Sequence, residues 1–150
     1  MAAFQGQAST AEIALSAATA RTVIQLVAAA NHRVKILGWG VFFDGTSTTA
    51  EPVQVTMSRQ TAAGTMTALT PTKTDDSIAD TLLTTAQHSA TGAEPTTTDL
   101  IEAIEVHPQQ GYEKWYPLGA EKIIGGGDRM GIICTAPASV NVRANLYFEE

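Results

Sequence analysis

The histidines offer the widest range of chemistry in this chain, but their spacing does not favour a metal site. His32, His88 and His107 lie far apart and form no H-x-H or H-x-x-x-H pair. A β scaffold usually takes two ligands from one strand or hairpin, because the ligands must converge to within about 2 Å of the ion. Asn31 and Pro108 adjoin two of the histidines, so both are expected in turns. We therefore predict that the chain binds no metal and no cofactor, which also argues against a cupin-like metal enzyme.

The candidate nucleophiles lack the surroundings that would activate them. Cys134 is the single cysteine, and it falls on the inward face of a predicted strand, where a thiol is usually a small buried apolar residue. The glycines at 125–127 lead into Asp128 and a strand rather than a helix, so they indicate a turn and not a phosphate-binding loop. No serine stands in a nucleophile elbow. We predict no catalytic residue and no enzymatic activity.

The carboxylates do not form a calcium site or a catalytic pair in the sequence. Asp75, Asp76 and Asp80 lack the D-x-D-x-D-G spacing of a calcium loop, which favours a solvated acidic loop. Glu102 and Glu105 are three residues apart in a predicted strand, so they point to opposite faces of the sheet. They therefore cannot act together as the two carboxylates of a glycosidase from that strand alone.

The composition excludes several classes of partner. The chain has 150 residues, which is the length of one domain, with 16% charged residues and a net charge of −6. This balance argues against nucleic acid and anionic membranes, both of which bind basic patches. A single cysteine also excludes an intrachain disulfide. The acidic excess lies mostly between Asp75 and Glu105, and the low charge elsewhere favours burial of surface against neighbouring subunits.

The hydrophobic periodicity indicates strands that would position all of these groups. Residues 139–148 alternate strictly between apolar and polar types, which is typical of a strand with one buried face. Residues 129–136 form a second such strand, and the turn around Pro137 predicts that the two make a terminal antiparallel hairpin. Residues 33–44 form a more apolar run, predicted to be a central strand covered on both faces at its far end and closed by the turn signal Asp44-Gly45.

Five further ranges complete a pattern of eight strands: 22–27, 53–58, 65–69, 101–107 and 112–116. Eight strands in one domain of this length predict an all-β fold, a two-sheet antiparallel β-sandwich, most economically a jelly roll. The sandwich domain would span residues 21–150.

Two regions break this pattern. Residues 1–20 are predicted to be an extended N-terminal arm, although Ser9-Thr10-Ala11-Glu12 is also compatible with the capping box of a short helix. We prefer the arm, because the strand at 22–27 follows without a helix stop signal. Residues 71–99 are predicted to be a long acidic excursion, with one or two helical turns possible at 77–87.

Six residues are candidates for an interface with another protein. Arg143, Asn145 and Tyr147 share the polar face of the last predicted strand, which is too weakly charged for a freely solvated surface and too polar for a core. The alternative for Tyr147 is an exposed tyrosine at a strand end. The other candidates are the large apolar side chains of the predicted arm, namely Phe4, Ile13 and Leu15.

Several segments resemble a group of small virion proteins of tailed bacteriophages. They are Asn31-His32-Arg33-Val34-Lys35, Trp39-Gly40-Val41, Phe43-Asp44-Gly45-Thr46, the segment 59–65, His107-Pro108-Gln109, Tyr116-Pro117-Leu118-Gly119 and the segment 137–144. The turn Gly126-Gly127-Asp128-Arg129-Met130 is also similar to the Gly-Asp-apolar turn of trimeric jelly rolls of the tumour-necrosis-factor and complement type.

The resemblance implies a capsid decoration, or cement, protein. Such a protein is a jelly roll that forms a homotrimer, lies on the exterior of the virion and binds between subunits of the major capsid protein, often through a terminal arm. It would be made in the host cytoplasm. The alternative is a tail-spike or fibre head that recognises a host glycan or receptor, for which the excursion from Asp75 to Asp99 is the expected binding region.

Overall fold

The computed structural model describes residues 4–45 and 51–150, and within these ranges the chain is all-β. Thirteen strands are present there. Their bounds are β1 Gln5–Ser9, β2 Ile13–Leu15, β3 Ala20–Val27, β4 Val34–Phe43, β5 Val53–Gln60, β6 Thr67–Leu69, β7 Thr72–Lys73, β8 Thr85–His88, β9 Thr97–Val106, β10 Gly111–Trp115, β11 Lys122–Ile124, β12 Arg129–Thr135 and β13 Val140–Glu149. No helix in the described part of the chain is long and apolar enough to cross a membrane.

The strands form two antiparallel sheets that pack face to face. The seven-stranded sheet has the order β10-β4-β13-β1-β7, with β2 paired to β13 and β11 paired to β4. The six-stranded sheet has the order β6-β8-β3-β12-β5-β9. The predicted all-β, two-sheet antiparallel sandwich is thereby confirmed, whereas the narrower prediction of a jelly roll with an N-terminal arm is not.

The core lies between the inward faces of the two sheets. Strand β13 alternates as predicted, with Val142, Ala144, Leu146 and Phe148 buried. On the neighbouring strand β4, Trp39 lies directly opposite Leu146 and is fully buried. Burial of each large apolar side chain contributes roughly 1.5–3 kcal/mol, so this face fixes the register of the central strands.

The prediction of a terminal hairpin is wrong, because β12 and β13 lie in different sheets. Both strands bury their apolar faces in the same core. Two strands paired in one sheet can do this, and so can two strands in facing sheets, so the apolar pattern alone does not distinguish the two arrangements. The connection from Thr135 to Val140 contains four residues, and at about 3.3 Å each they can cross the roughly 10 Å between packed sheets. The chain therefore passes from the six-stranded sheet to the seven-stranded sheet at the turn around Pro137.

The segment predicted as an arm forms part of the seven-stranded sheet. Strand β1 pairs with β13, with Ala8 opposite Leu146, and Ile13 and Leu15 are buried in the core. The hydroxyl of Thr10 accepts from the backbone N–H of Ala144, which holds β1 and β2 on the same neighbour. The small inward residues Gly6 and Ala8 conceal the strand period in the sequence. Residues 1–3 of the predicted arm lie outside the described residues.

The predicted excursion at 71–99 contains strands β7, β8 and the start of β9 rather than helical turns at 77–87. Lys73 donates to the backbone carbonyls of Ile78 and Asp80, which fold the acidic loop back onto β7. The later part of the excursion continues along β3 of the six-stranded sheet, where Ala90 donates to the carbonyl of Thr22 and the Glu94 carboxylate accepts from the backbone N–H of Thr22. Much of the excursion is therefore built into the sandwich.

Two predicted turns can be compared with the structure. Gly127 adopts a φ of 82° in a tight turn between β11 and β12, which confirms the turn at 125–127 and suits glycine. Strand β4 ends at Phe43, just before Asp44-Gly45, and residues 46–50 lie outside the described residues. The far end of β4 is not covered on both faces as predicted, because Phe42 points to solvent.

Candidate interaction face

The outer face of the seven-stranded sheet carries three aromatic side chains side by side. Phe42, Trp115 and Tyr147 project outward from β4, β10 and β13, and we call this group the aromatic face. Phe42 is 40% exposed and Trp115 is 56% exposed. Large aromatic side chains that lie on one outward face of a domain commonly mark a binding site.

Glycines beneath the rings make the aromatic face flat. A Cβ at Gly38 would lie 3.0 Å from the ring of Trp115, and a Cβ at Gly111 would collide with Phe42. In the β4–β10 pairing each glycine lies directly opposite one of the aromatic residues, Gly38 opposite Trp115 and Gly111 opposite Phe42. The absence of side chains at these positions lets the rings lie on the backbone.

The rings of Trp115 and Tyr147 stack on each other. Their centroids are 4.4 Å apart with 21° between the planes. The Tyr147 hydroxyl donates to the Glu113 carboxylate at 3.0 Å. Partial burial raises the pKa of Tyr147, and the hydrogen bond to Glu113 raises it further, so the phenol stays neutral and keeps donating. This hydrogen bond fixes the orientation of the stacked Trp115 and Tyr147 rings in the absence of a bound partner protein.

Polar groups adjoin the aromatic face along β13. Arg143 is directly opposite Phe42, and its guanidinium is 3.8 Å from the Glu12 carboxylate. Asn141 donates to the same carboxylate at 2.9 Å. Since aromatic residues and arginine are enriched in protein interfaces, this combination is suited to contact with another protein surface.

The structure separates the six predicted interface residues into three groups. Arg143, Asn145 and Tyr147 lie together on the outward face of β13, as the sequence suggested. Ile13 and Leu15 are 4% and 2% exposed in the protein's own core, so they are not available to a partner in this structure. Phe4 is half-buried and extends the β1–β13 ladder through backbone bonds to Glu150.

The prediction that the far end of residues 33–44 is covered on both faces missed Phe42 as a surface residue, and the predicted interface candidates did not include Trp115. Trp39 does belong to the core, but Phe42 points the opposite way. A usable signal was the spacing of Gly38, Gly40 and Phe42, which share one face of β4. Successive glycines on one face of a strand often mark the close approach of another group.

The recessed carboxylate of Glu102 joins the edges of the two sheets. It accepts from the indole N–H of Trp39 at 3.3 Å and from the ammonium of Lys114 at 2.9 Å, and Lys122 lies 4.0 Å away. Burial alone raises the pKa of Glu102, but hydrogen bonds from Lys114, Tyr116 and Trp39 outweigh it and bring the pKa below its usual value. Burial and the neighbouring carboxylate raise the pKa of Tyr116. These contacts with Glu102 hold the edges of the two sheets together, and we call them the clamp between the sheet edges.

The other reactive side chains are dispersed or inert. Cys134 is fully buried, and this burial raises the pKa of its thiol, in agreement with the predicted core role. Glu105 is exposed on the face of β9 opposite to Glu102. Within residues 4–45 and 51–150, no three His, Cys, Asp or Glu side chains are grouped closely enough to hold a metal ion.

Comparison of the chain with protein families, with curated proteins and with solved structures gives no match. The arrangement of the described side chains therefore carries the functional argument, and its most distinctive surface feature is the aromatic face.

Proposed function

We propose that this protein is a structural virion protein that decorates and stabilises a phage capsid. It would bind as a homotrimer between subunits of the major capsid protein, on the exterior of the virion and without enzymatic activity. The observation that carries the proposal is the aromatic face, on which Phe42 and Trp115 are exposed and Tyr147 is half-buried on a flat sheet. Exposure of these rings to water does not stabilise a monomer, whereas their burial in a subunit interface is favourable.

The aromatic face has the composition expected of a contact between copies of the chain. Tryptophan, tyrosine and arginine are the residues that most often dominate the binding energy of an interface, each contributing about 2 kcal/mol or more at a hot spot. Trp115, Tyr147 and Arg143 supply all three within one face. The stacked and hydrogen-bonded rings are held in place before binding, which lowers the entropy cost of association.

The strand connections support the finer proposal of a jelly roll. Eight strands have five or more residues, and these divide into the two groups β10-β4-β13-β1 and β3-β12-β5-β9. A jelly roll consists of two four-stranded sheets, and its chain passes repeatedly from one sheet to the other. The shorter strands β2, β6, β7, β8 and β11 extend these sheets.

The resemblance of segments such as Asn31–Lys35 and Tyr116–Gly119 to small phage virion proteins supports the assignment to a capsid. The acidic surface suits this place, because a protein on the outside of the shell has no need to bind the packaged nucleic acid. Many copies on one shell also reinforce it through contacts that are individually weak.

The proposal is tested by adding the purified protein to capsids that lack it. We expect saturable binding at a fixed ratio to the major capsid protein, and a solution mass three times the 15.8 kDa of one chain. The Trp115→Ala variant should self-associate more weakly and should bind capsids more weakly, while Glu105→Ala, on the opposite sheet, should behave as the wild type. Absence of capsid binding by the trimeric wild type would refute the proposed function.

A second candidate, a glycan-binding head of a tail spike or fibre, is favoured by the stacked pair Trp115–Tyr147. A flat aromatic surface beside polar groups such as Glu113 and Asn145 also suits the apolar face of a sugar ring. The excursion at 71–99, by contrast, contains no Phe, Trp or Tyr. Binding to a glycan array that is lost in Trp115→Ala, without affinity for capsids, would favour this candidate.

A further inference from the structure

The carboxylate of Glu113 lies beside the stacked rings of the aromatic face without an opposite charge. Its Oε1 accepts from the Tyr147 hydroxyl at 3.0 Å, which holds the carboxylate next to the Trp115–Tyr147 pair. Glu113 is exposed on the outward side of β10, and its Oε2 accepts no hydrogen bond within residues 4–45 and 51–150. The carboxylate is therefore oriented and still able to accept from a further donor.

The other charged side chains on the outward side of β4 and β13 are already paired. The Lys35 ammonium is 2.8 Å from the Glu149 carboxylate, and the Arg143 guanidinium is 3.8 Å from the Glu12 carboxylate. In the described part of the chain, Glu113 forms no ion pair. The surface around the stacked rings therefore keeps a negative charge that these pairs do not compensate.

A planar cation fits this combination of groups. The guanidinium group of arginine stacks on aromatic rings and donates hydrogen bonds from its edge to a carboxylate. The Trp115 side chain, which is 56% exposed, offers the stacking surface, and Glu113 offers the acceptor. Lysine is less suited, because its compact ammonium group cannot stack on a ring.

An arginine without a partner lies at one end of the sandwich. Residues 28–33, which we call the end loop, connect β3 in the six-stranded sheet to β4 in the seven-stranded sheet. Ala28 donates to the carbonyl of Asp128 and accepts from Gly127, both at 3.1 Å, so the turn before β12 packs on the end loop. Arg33 is exposed, and its side chain forms no hydrogen bond or ion pair with any residue that the structure describes.

The charges near Arg33 leave the end loop positive. Asp128 is exposed in the adjoining turn, and it is followed by Arg129, whose guanidinium donates to the neutral Gln25. Asp128 and Arg129 cancel in charge, so Arg33 adds a positive charge to this end of the sandwich. The end loop and the surface around Glu113 are thus complementary in charge, which steers and orients association.

The end loop and the aromatic face adjoin each other. Arg33 immediately precedes β4, and Gly38, which lies beneath the stacked rings, follows on that strand at a distance of about 16 Å for the five intervening steps. Arg33 therefore cannot reach the rings of its own chain. Two different contact surfaces that adjoin in this way allow a ring of few copies to close, whereas surfaces on opposite sides of a subunit lead to an open chain.

We propose that the Trp115–Tyr147 pair and Glu113 of one copy bind the guanidinium group of Arg33 of a second copy, in a contact that is repeated around the homotrimer. Because the two surfaces are different, each copy gives one arginine and receives one. The inference rests on the homotrimer of the proposed function but not on binding to a capsid.

The test exchanges the two charges and measures self-association by sedimentation. Arg33→Glu and Glu113→Arg should each associate more weakly than the wild type, because each places like charges in the contact. The double variant should recover part of the association, since its charges are again opposite. An equimolar mixture of the two single variants should also associate more strongly than either variant alone, because contacts between unlike copies are complementary.

Further variants separate this contact from a general effect of charge. Arg33→Ala should weaken each contact about 3- to 30-fold, through loss of the stacking and of the ion pair. Arg33→Lys should lose less, because lysine keeps the charge but not the stacking. Glu105→Arg changes an exposed carboxylate on the opposite sheet and should associate as the wild type. Because all of these side chains are exposed, thermal unfolding should show that the variants keep their fold.

The possible failures are distinguishable. Unchanged trimers of Arg33→Glu, or a double variant that recovers no association, overturn the contact and leave the capsid function standing. Weaker association of Glu113→Arg alone means that another group covers the rings, which also overturns the role of Arg33. A wild type that forms trimers through Arg33 and Glu113 but does not bind capsids supports the contact and refutes the function. A wild type that is monomeric at high concentration refutes both the contact and the trimer.

Discussion

Replacement of Glu102 by alanine should destabilise the sandwich by about 2 kcal/mol. The indole N–H of the buried Trp39 would lose one of its two acceptors, and an under-satisfied buried donor costs about 1–3 kcal/mol. Here the cost falls in the lower half of that range, because the Tyr116 hydroxyl remains 3.2 Å from the indole nitrogen. Loss of the partly exposed Lys114 ion pair adds about 0.2–1 kcal/mol. For a domain of this length, the total lowers the melting temperature by about 4–8 °C.

The conservative variant Glu102→Gln should cost about 1 kcal/mol at pH 7, because the amide oxygen still accepts from Trp39 and the interaction with lysine is weakened. The pKa of Glu102 is lowered on folding. Its charge therefore stabilises the protein fully above the unfolded glutamate pKa, near 4.3, and this contribution is lost as the pH falls through the lower folded value. The stability gap between wild type and Glu102→Gln should thus narrow below about pH 4.3.

The assay is urea unfolding followed by the fluorescence of the buried Trp39, repeated from pH 7 to pH 3. Glu105→Gln is the matched control, because it lies on the same strand with its side chain exposed on the other face, and it should change stability by less than about 0.5 kcal/mol. If Glu102→Ala and Glu105→Gln unfold at the same urea concentration, the clamp between the sheet edges does not stabilise the fold and the reasoning is refuted.

Three other predictions concern the surface, the core and the thiol. Trp115→Ala should weaken self-association about 10- to 100-fold, as measured by sedimentation; equal association would exclude the aromatic face from the interface. Deletion of residues 1–15 should unfold or strongly destabilise the sandwich, because it removes Ile13 and Leu15 from the core; a cooperative, unshifted thermal transition would contradict this. Burial raises the pKa of Cys134, so a thiol reagent should label it only as fast as the protein unfolds, and rapid labelling of the native protein would contradict its burial.

The sequence was informative where a strand has one fully buried face and one polar face. Strand β13 alternates without exception, because its inward residues meet the opposite sheet along its whole length. It was less informative where small residues occupy the inward positions, as Gly6 and Ala8 do in β1. Periodicity also reports only which face of a strand is buried and not which sheet holds it, so it could not show that the chain changes sheet at Pro137.

Three of the six residues predicted as interface candidates lie on one outward face of the sheet for the same reason. Arg143, Asn145 and Tyr147 are spaced by two on one strand, so their common face follows from local geometry. Trp115 joins them only through the order β10-β4-β13, which depends on pairings between distant parts of the chain. Its stacking on Tyr147 across β4 becomes visible only once those pairings are known.

The two tryptophans lie in contrasting environments, and this gives the protein two separate optical reporters. Trp39 is shielded between the sheets, so its emission should change only when the sandwich opens. Trp115 is in contact with water, and a soluble quencher should reach it in the free subunit but not in an assembled one. If assembly buries the aromatic face as proposed, quenching of Trp115 follows assembly while the emission wavelength of Trp39 follows folding, and one unlabelled sample then distinguishes a free folded subunit from a bound one.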